Sequence, residues 1–327
     1  MCTSITLANE QTNYLARTMD FGFELDGRPI VIPRNYAFTT DQGDTLTFPL
    51  GFVGTGRKLN SYLFADGVNE KGLAIAELYF PTEASYLETA APEKIGLAPH
   101  EFIMWVLGNI GSIDELKRRI DEVAIIHAEN HLLGVVLPLH FILTDVTGEV
   151  VVVETHDQTL TIKENPVHVM TNSPRFEWHL QNLNNYLFLQ PQNFSVKTFG
   201  NLPAAPFGQG SGTYGLPGGY TSPERFVRAT YLRNYLSNIE TNEGALAGIF
   251  HVLDNVTIPK GVNIKNDGAT DYTQYRAVLD TKNQCYYFNP YTTPEVFSVQ
   301  LTEALLNQAE PSEYELPAGF NTTLLNP

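Results

Sequence analysis

The sequence predicts an α+β protein, two stacked sheets flanked by helices, on two observations. Short strands separated by turn residues recur along most of the chain, and helical periods are confined to two pairs of segments inserted among them. The same periodicity fits other α+β arrangements. No repeat, low-complexity tract or Pro/Gly/Ser-rich linker interrupts the 327 residues, so 1–327 reads as one domain with room for a large core.

The elements follow in order. "SITL" and "YLARTM", joined by the polar "ANEQTN", predict a β-hairpin that starts at the N-terminus and holds Cys2 on a strand. "GLAIAELYF" (72–80) predicts a buried strand. "PHEFIMWVLGN" (99–109) and "SIDELKRRIDEV" (112–123) predict the first helical pair, the second helix opened by a capping box of Ser112 and Glu115. "LHFILTD" (139–145) and "EVVVVET" (149–155) flank the turn "DVTGE" and predict an antiparallel pair; "TLTIKE" (159–164) and "VHVMT" (167–171) continue the strands. "RFEWHLQNLNNYL" (175–187) and "SPERFVRATYLRNYLSN" (222–238) form the second helical pair, with Ser222 as N-cap and Pro223 at the first helical position. "DYTQYRAVLD" (271–280), "CYYFN" (285–289) and "VFSVQL" (296–301) return to strand.

Composition excludes several classes of function. With 36 acidic against 20 basic residues the net charge is −16, which repels nucleic acid and anionic membranes, so an anionic substrate would have to be gripped by local arginines. Apolar runs such as "VVVV" (150–153) fall far short of the ~20 residues a membrane helix needs, and the N-terminus lacks a basic stretch leading into an apolar one. A cytoplasmic protein is expected, with its two cysteines reduced. Cys285, among aromatics in "NQCYYFN", reads as an inert core thiol. The eight histidines are scattered without metal-ligand spacing, and neither a metal nor a cofactor is expected.

The other cysteine stands directly behind the initiator methionine. Removal of Met1 would leave Cys2 carrying both a thiol and a free α-amine. Attack on an amide needs a nucleophile, a base for its proton and donors for the developing oxyanion, and such a residue supplies the first two alone. An α-amine titrates near 7.7–8.0 in reference peptides, and a thiol ionises readily beside a cation. "LARTMDF" (15–21) places Arg17 and Asp20 on the strand returning alongside Cys2, where the cation can favour thiolate and the carboxylate can hold the amine. Taken alone, "MC" also fits a small apolar residue, and Arg17 with Asp20 a surface ion pair.

The segments "MCTSIT", "ARTMDF", "IPRNY" (32–36), "DGVNEKGL" (66–73), "MTNSPRFEWHLQNL" (170–183), "PFGQGSGTYGLPGGYTSPERF" (206–226) and "IPKGV" (258–262) run nearly end to end. In them the chain resembles the choloylglycine hydrolase group of N-terminal-nucleophile hydrolases, which contains penicillin V acylases and bile salt hydrolases. The resemblance implies a four-layer αββα fold of two stacked antiparallel sheets, cofactor-independent hydrolysis of a linear amide, and a homotetramer. It makes Cys2 the nucleophile with its amine as base, Arg17 and Asp20 the flanking pair, and Asn172 one oxyanion donor. The main-chain N–H of Tyr79 would be the other donor, and Arg225 completes the site. Glu224, next to Arg225, departs from the small or neutral residue the resemblance leads one to expect.

Two competing readings stand beside this one. A class II glutamine amidotransferase typically opens "MCGI", whereas this chain opens "MCTS"; a binding module for acyl amides or bile acids would have no use for the full set of site residues. Within the group, Tyr79 matches the tyrosine of penicillin V acylases, where bile salt hydrolases typically carry asparagine. Phe21 and Phe23 would join Tyr79 in an aromatic substrate pocket. The expectation is therefore phenoxymethylpenicillin as substrate, with conjugated bile salts and N-acyl homoserine lactones as the alternatives.

Overall fold

The computed structural model describes residues 1–59, 61–130, 134–317 and 319–326. The N-terminal hairpin pairs Cys2–Ala8 with Asn13–Phe21, Cys2 opposite Met19 and Ser4 opposite Arg17. Its polar connection closes because Asn9 Oδ1 accepts hydrogen bonds from the Gln11 and Thr12 N–H groups, an Asx turn built by the local sequence.

This hairpin lies inside a six-stranded sheet of order Val169–Met170, Cys2–Ala8, Asn13–Phe21, Tyr272–Asp280, Cys285–Pro290, Phe297–Gln300. The second sheet has eight strands, in the order Thr159–Glu164, Val150–His156, Leu139–Thr144, Ala74–Tyr79, Tyr62–Asn69, Phe52–Lys58, Arg28–Ile32, Ser312–Glu313. Every pairing in both sheets is antiparallel. The sheets face each other, helices Ser222–Tyr235 and Asn242–Asp254 cover the six-stranded sheet, and helix Phe102–Asn109 covers the eight-stranded one. The layer order is αββα, as the resemblance implies. One apolar core joins the two sheets and the helices beyond the first, and another fills the space beneath Phe102–Asn109.

Several elements differ from the sequence reading, each for a local reason. Strands Phe52–Lys58 and Tyr62–Asn69 are not apparent from the pattern because Gly54, Gly56 and Gly67 dilute it. Helix Asn242–Asp254 is likewise hidden by Gly244 and Gly248; it starts where Thr241 Oγ1 accepts from the Gly244 N–H. Ser222 is the first helical residue, and Thr221 is the N-cap, because the Ser222 hydroxyl is engaged elsewhere. Ser112 does cap its helix by accepting from the Glu115 N–H, while the Glu115 carboxylate closes on Gly111 and not on Ser112. Cys285 is a buried free thiol that burial pushes up. Among the described residues no helix is long and apolar enough to cross a membrane.

Gly67 stands opposite Gly54, and Leu107 of the covering helix packs into the space: a Cβ on Gly67 would lie 2.8 Å from Leu107 Cδ1. Gly67→Val must therefore displace the helix or the strand. It is expected to cost about 1–3 kcal/mol in denaturant unfolding. A loss below about 0.5 kcal/mol, the scale of ordinary surface substitutions, would show that the helix does not seat on this glycine.

Candidate active site

The short strand Val169–Met170 pairs with the first strand only at Ser4 and Ile5, so Cys2 lies beyond the end of that ladder. The side chain of Asn172 takes over there: its Oδ1 accepts from the Cys2 nitrogen at 2.8 Å. Met1 is still attached, so this nitrogen is an amide standing where an α-amine would be in a chain beginning at Cys2. The Met1 amino group itself donates to the Asp20 carbonyl oxygen at 2.6 Å.

Arg17 and Asp20 are three residues apart on one strand and so project to opposite faces. They do not pair with each other. Arg17 points toward the eight-stranded sheet. Its Nη2 donates to Cys2 Sγ at 3.0 Å, and its Nη1 donates to the carbonyls of Ala65 at 2.8 Å and Glu77 at 2.9 Å. Asp66 lies 3.5 Å from Nη1, and both side chains are fully buried. Burial pushes the guanidinium down, but attraction to the acidic groups around it, Cys2 and Asp66 among them, outweighs it and Arg17 stays charged. Asp20 points the other way, accepting from the hydroxyls of Thr273 at 2.5 Å and Thr18 at 3.0 Å. Burial pushes its carboxyl up, opposed by Arg225.

Arg225 approaches Cys2 from the helix layer. Nη1 donates to the Cys2 carbonyl at 2.5 Å and to Thr3 Oγ1 at 2.7 Å, Nη2 to Asn172 Oδ1 at 2.6 Å, and Nε to the Tyr220 carbonyl at 2.9 Å. Glu224 turns away to accept from the Thr221 hydroxyl and does not engage this cation.

The amide of Asn172 is oriented by its neighbours. Two donors, Cys2 N–H and Arg225 Nη2, converge on one end, so that end is the oxygen and the other is the NH2. One Nδ2 hydrogen is given to the Tyr79 carbonyl at 2.7 Å, leaving the second available. Tyr79 presents its own N–H on the same side. Phe80 N–H bonds to the Pro138 carbonyl, so by antiparallel alternation the Tyr79 N–H points to the opposite edge of its strand, and the ladder there has already ended at Asp66 opposite Ala76. Two N–H donors thus stand beside one thiol.

Around this centre lies a cleft lined by Cys2, Met19, Phe21, Leu25, Glu77, Tyr79, Leu137 and Leu139, in which Phe21 and Tyr79 meet edge to face at 6.2 Å. Phe23 lines an adjoining chamber and not the Cys2 cleft; it is displaced by the turn that ends the hairpin strand at Phe21. Asp41, His100 and Glu101 are close enough together for a cation, but both Glu101 oxygens already accept main-chain N–H bonds, from Asp41 and Ala98.

Several supporting residues carry no role in the sequence reading. Asp66 anchors Arg17 and accepts from the Tyr275 and Tyr286 hydroxyls at 2.7 and 2.5 Å. Ser222 Oγ and His179 Nε2 both bind the Asn172 carbonyl at 2.9 Å, and His140 Nε2 binds the Thr171 carbonyl at 2.8 Å. The sequence signal was present, since Asp66 and His179 fall within "DGVNEKGL" and "MTNSPRFEWHLQNL", but nothing in the pattern separates a positioning group from a packed one.

His179 lies stacked on Phe226 at 4.6 Å, and burial pushes it down to about 4, with its bond to Asn172 opposing. An unfolded histidine titrates near ~6.5. Between there and about 4 the unfolded chain therefore binds a proton that folded His179 refuses, and stability falls as pH is lowered through that window. Chemical denaturation across this range is expected to show a shallower pH slope for His179→Gln than for the wild type. Identical slopes would mean that His179 is not held neutral in the fold.

The chain is similar to known proteins over nearly its whole length. The chain is 32% identical over 333 residues to a bile salt hydrolase/transferase of Clostridium perfringens, covering 99% of this chain and 98% of that protein. The crystal structure of a variant of conjugated bile acid hydrolase from the same organism superposes with a TM-score of 0.92 at 29% identity, over 99% of this chain and 100% of the other. Penicillin V acylase from Agrobacterium tumefaciens gives 0.76 at 26% identity, covering 97% and 92%. Residues 2–314 match the model of the linear amide C–N hydrolases, choloylglycine hydrolase family, and the chain, an amide hydrolase, belongs to that family.

Proposed function

We propose that this amide hydrolase cleaves N-acyl conjugates of the bile-acid type through a thioester on Cys2. The observation that carries the chemistry is the bridging position of Asn172, one end on the Cys2 nitrogen and Arg225, the other beside Tyr79. In this reading Met1 is removed, and the freed amine of Cys2 takes the thiol proton. The sulfur, its charge stabilised by Arg17 at 3.0 Å, attacks the amide carbonyl. Negative charge develops on the carbonyl oxygen against the second Asn172 Nδ2 hydrogen and the Tyr79 N–H. Collapse expels the amine, which receives the proton from the α-ammonium. Water, deprotonated by the same amine, then attacks the thioester and releases the carboxylic acid.

Asn172→Ala is expected to lower kcat by roughly 10²–10³, about 3–4 kcal/mol, with a smaller change in KM. A variant that loses only KM would assign Asn172 to substrate positioning. A verified chain that retains Met1, or carries a residue fused ahead of Cys2, should be inactive, because an acylated nitrogen cannot take up the proton. Full turnover from such a chain would remove the amine from the mechanism.

The bile-acid assignment draws on the higher structural match to the conjugated bile acid hydrolase than to the penicillin V acylase, 0.92 against 0.76, and on the largely apolar lining of the cleft beside Cys2. The sequence expectation of a penicillin V acylase has less support. It remains the second reading because Tyr79 and Phe21 put an aromatic wall beside the thiol, a surface suited to a flat phenoxyacetyl group. In a panel of glycocholate, taurocholate, phenoxymethylpenicillin and an N-acyl homoserine lactone, processed enzyme is expected to show its highest kcat/KM on a bile conjugate, with Cys2→Ala inactive on all. A higher value for phenoxymethylpenicillin would return the assignment to the aromatic wall.

A further inference from the structure

The cleft beside Cys2 continues into a second chamber; the two share Met19, Leu25, Glu77 and Leu137 as walls. Glu77 is out of place among them. Its main-chain carbonyl accepts from Arg17, but its carboxyl makes no ion pair, and Oε2 is buried without a hydrogen-bond partner among the described residues. An orphaned carboxyl oxygen costs free energy unless something satisfies it. The second chamber holds another such atom. His100, on its wall, spends Nε2 on Asp41 Oδ2 at 3.1 Å, so Nε2 carries the hydrogen and Nδ1 is an acceptor, and that Nδ1 is buried with no hydrogen-bond partner among the described residues. The chamber's other polar side chains with assigned contacts are occupied: Thr55 with Tyr286, Tyr275 with Asp66, Arg57 with the Leu25 carbonyl.

Two unsatisfied groups in one otherwise apolar chamber define a ligand that is largely hydrocarbon and carries hydroxyls. We propose that Glu77 is the specificity-determining polar contact of the acyl pocket, with His100 Nδ1 as a second, so that the enzyme selects acyl groups bearing a hydroxyl remote from the reacting carbonyl over hydroxyl-free acyl groups of the same size. The inference rests on the Cys2 hydrolase reading for its consequence in turnover, but not for the contact itself. Burial raises the Glu77 carboxyl to about 8, with Arg17 opposing and Asp66 adding to it, so at neutral pH it is a protonated group that can both donate to and accept from a hydroxyl.

The test uses the glycine conjugates of hydroxyl-free cholanic acid and of its mono- and trihydroxy derivatives. Processed wild-type enzyme is expected to favour at least one hydroxylated conjugate by about 10- to 100-fold in kcat/KM, the range in which a site built around a hydroxyl rejects its deoxy analogue. Glu77→Met should erase or invert that order, because it replaces the orphaned oxygen with an apolar side chain of similar length. Glu77→Gln, which still donates and accepts, should keep it. Calorimetric binding of the corresponding free acids to the wild type should follow the same order without any turnover. Equal use of all the conjugates by the wild type, or a wild-type ratio surviving in Glu77→Met, overturns the role of Glu77. If Glu77→Met fails to fold, the wild-type ratio and Glu77→Gln decide alone. A protein that hydrolyses none of the conjugates yet binds the free acids in this order would sink the bile-conjugate reading and leave the contact standing.

Discussion

A fully buried arginine between two β-sheets is the constraint from which the rest of this structure follows. Arg17 cannot leave its N–H groups unmatched, because a desolvated cation is tolerated only when paired and hydrogen-bonded. Its acceptors are main-chain carbonyls of the opposing sheet, and such carbonyls are free only where a ladder has been interrupted. The eight-stranded sheet supplies that interruption. The register slips between Thr55 and Gly56, and pairing between Tyr62–Asn69 and Ala74–Tyr79 stops at Asp66 opposite Ala76. Ala65 and Glu77 then turn their carbonyls to the guanidinium, while Asp66 closes the ring of acceptors. The same gap frees the Tyr79 N–H and opens the walls of the cleft. Housing the cation, freeing a main-chain N–H near Cys2 and opening the cleft are one structural event.

A second buried arginine mirrors the first across the six-stranded sheet. Arg225 lies one turn into its helix, where the helix dipole repels a cation, and burial pushes its guanidinium further down. Its position is maintained by acceptors drawn from three different segments: Tyr220, the adjacent Cys2 and Thr3, and Asn172. Cys2 is thus gripped through its sulfur from one face and through its carbonyl from the other. Arg17 and Asp20, three residues apart on one strand, serve opposite faces, and this explains why both can flank Cys2 without neutralising each other.

How much of this was legible in the sequence depended on whether the signal was local. The hairpin carrying Cys2 and Arg17 was readable because period-2 alternation and an Asx turn are short-range properties. The strands Phe52–Lys58 and Tyr62–Asn69 were not, since their glycines exist for packing partners outside each strand's own pattern, Gly54 against Gly67 and Gly67 against Leu107. Ser222 looks like an N-cap by every local rule, yet its hydroxyl serves Asn172, 50 residues away. The group of site residues followed from the resemblance; in the structure Arg17 contacts the Cys2 sulfur, Asn172 and Arg225 contact its main chain, Phe21 and Tyr79 share its cleft, and the Asp20 carboxylate turns to the opposite face. Phe23 lies in the adjoining chamber and not beside Cys2, because adjacency beyond a strand end says nothing about which chamber a side chain enters.

The position of Tyr79 separates chemistry from selectivity. If its contribution to the oxyanion is a main-chain N–H, then the side chain at that position is free to vary without touching catalysis. The same holds for Glu77, whose carbonyl orients Arg17 while its carboxyl faces the chamber. Both residues lie on one strand, spaced by two, so both side chains share a face and both carbonyls share an edge. One edge of that strand therefore holds Arg17 and Asn172 in place through main-chain carbonyls, and one face presents to the cleft the side chains that substitution changes most readily. A single framework can in this way keep one amide-cleaving centre while its acyl preference moves between aromatic, steroid and aliphatic chains.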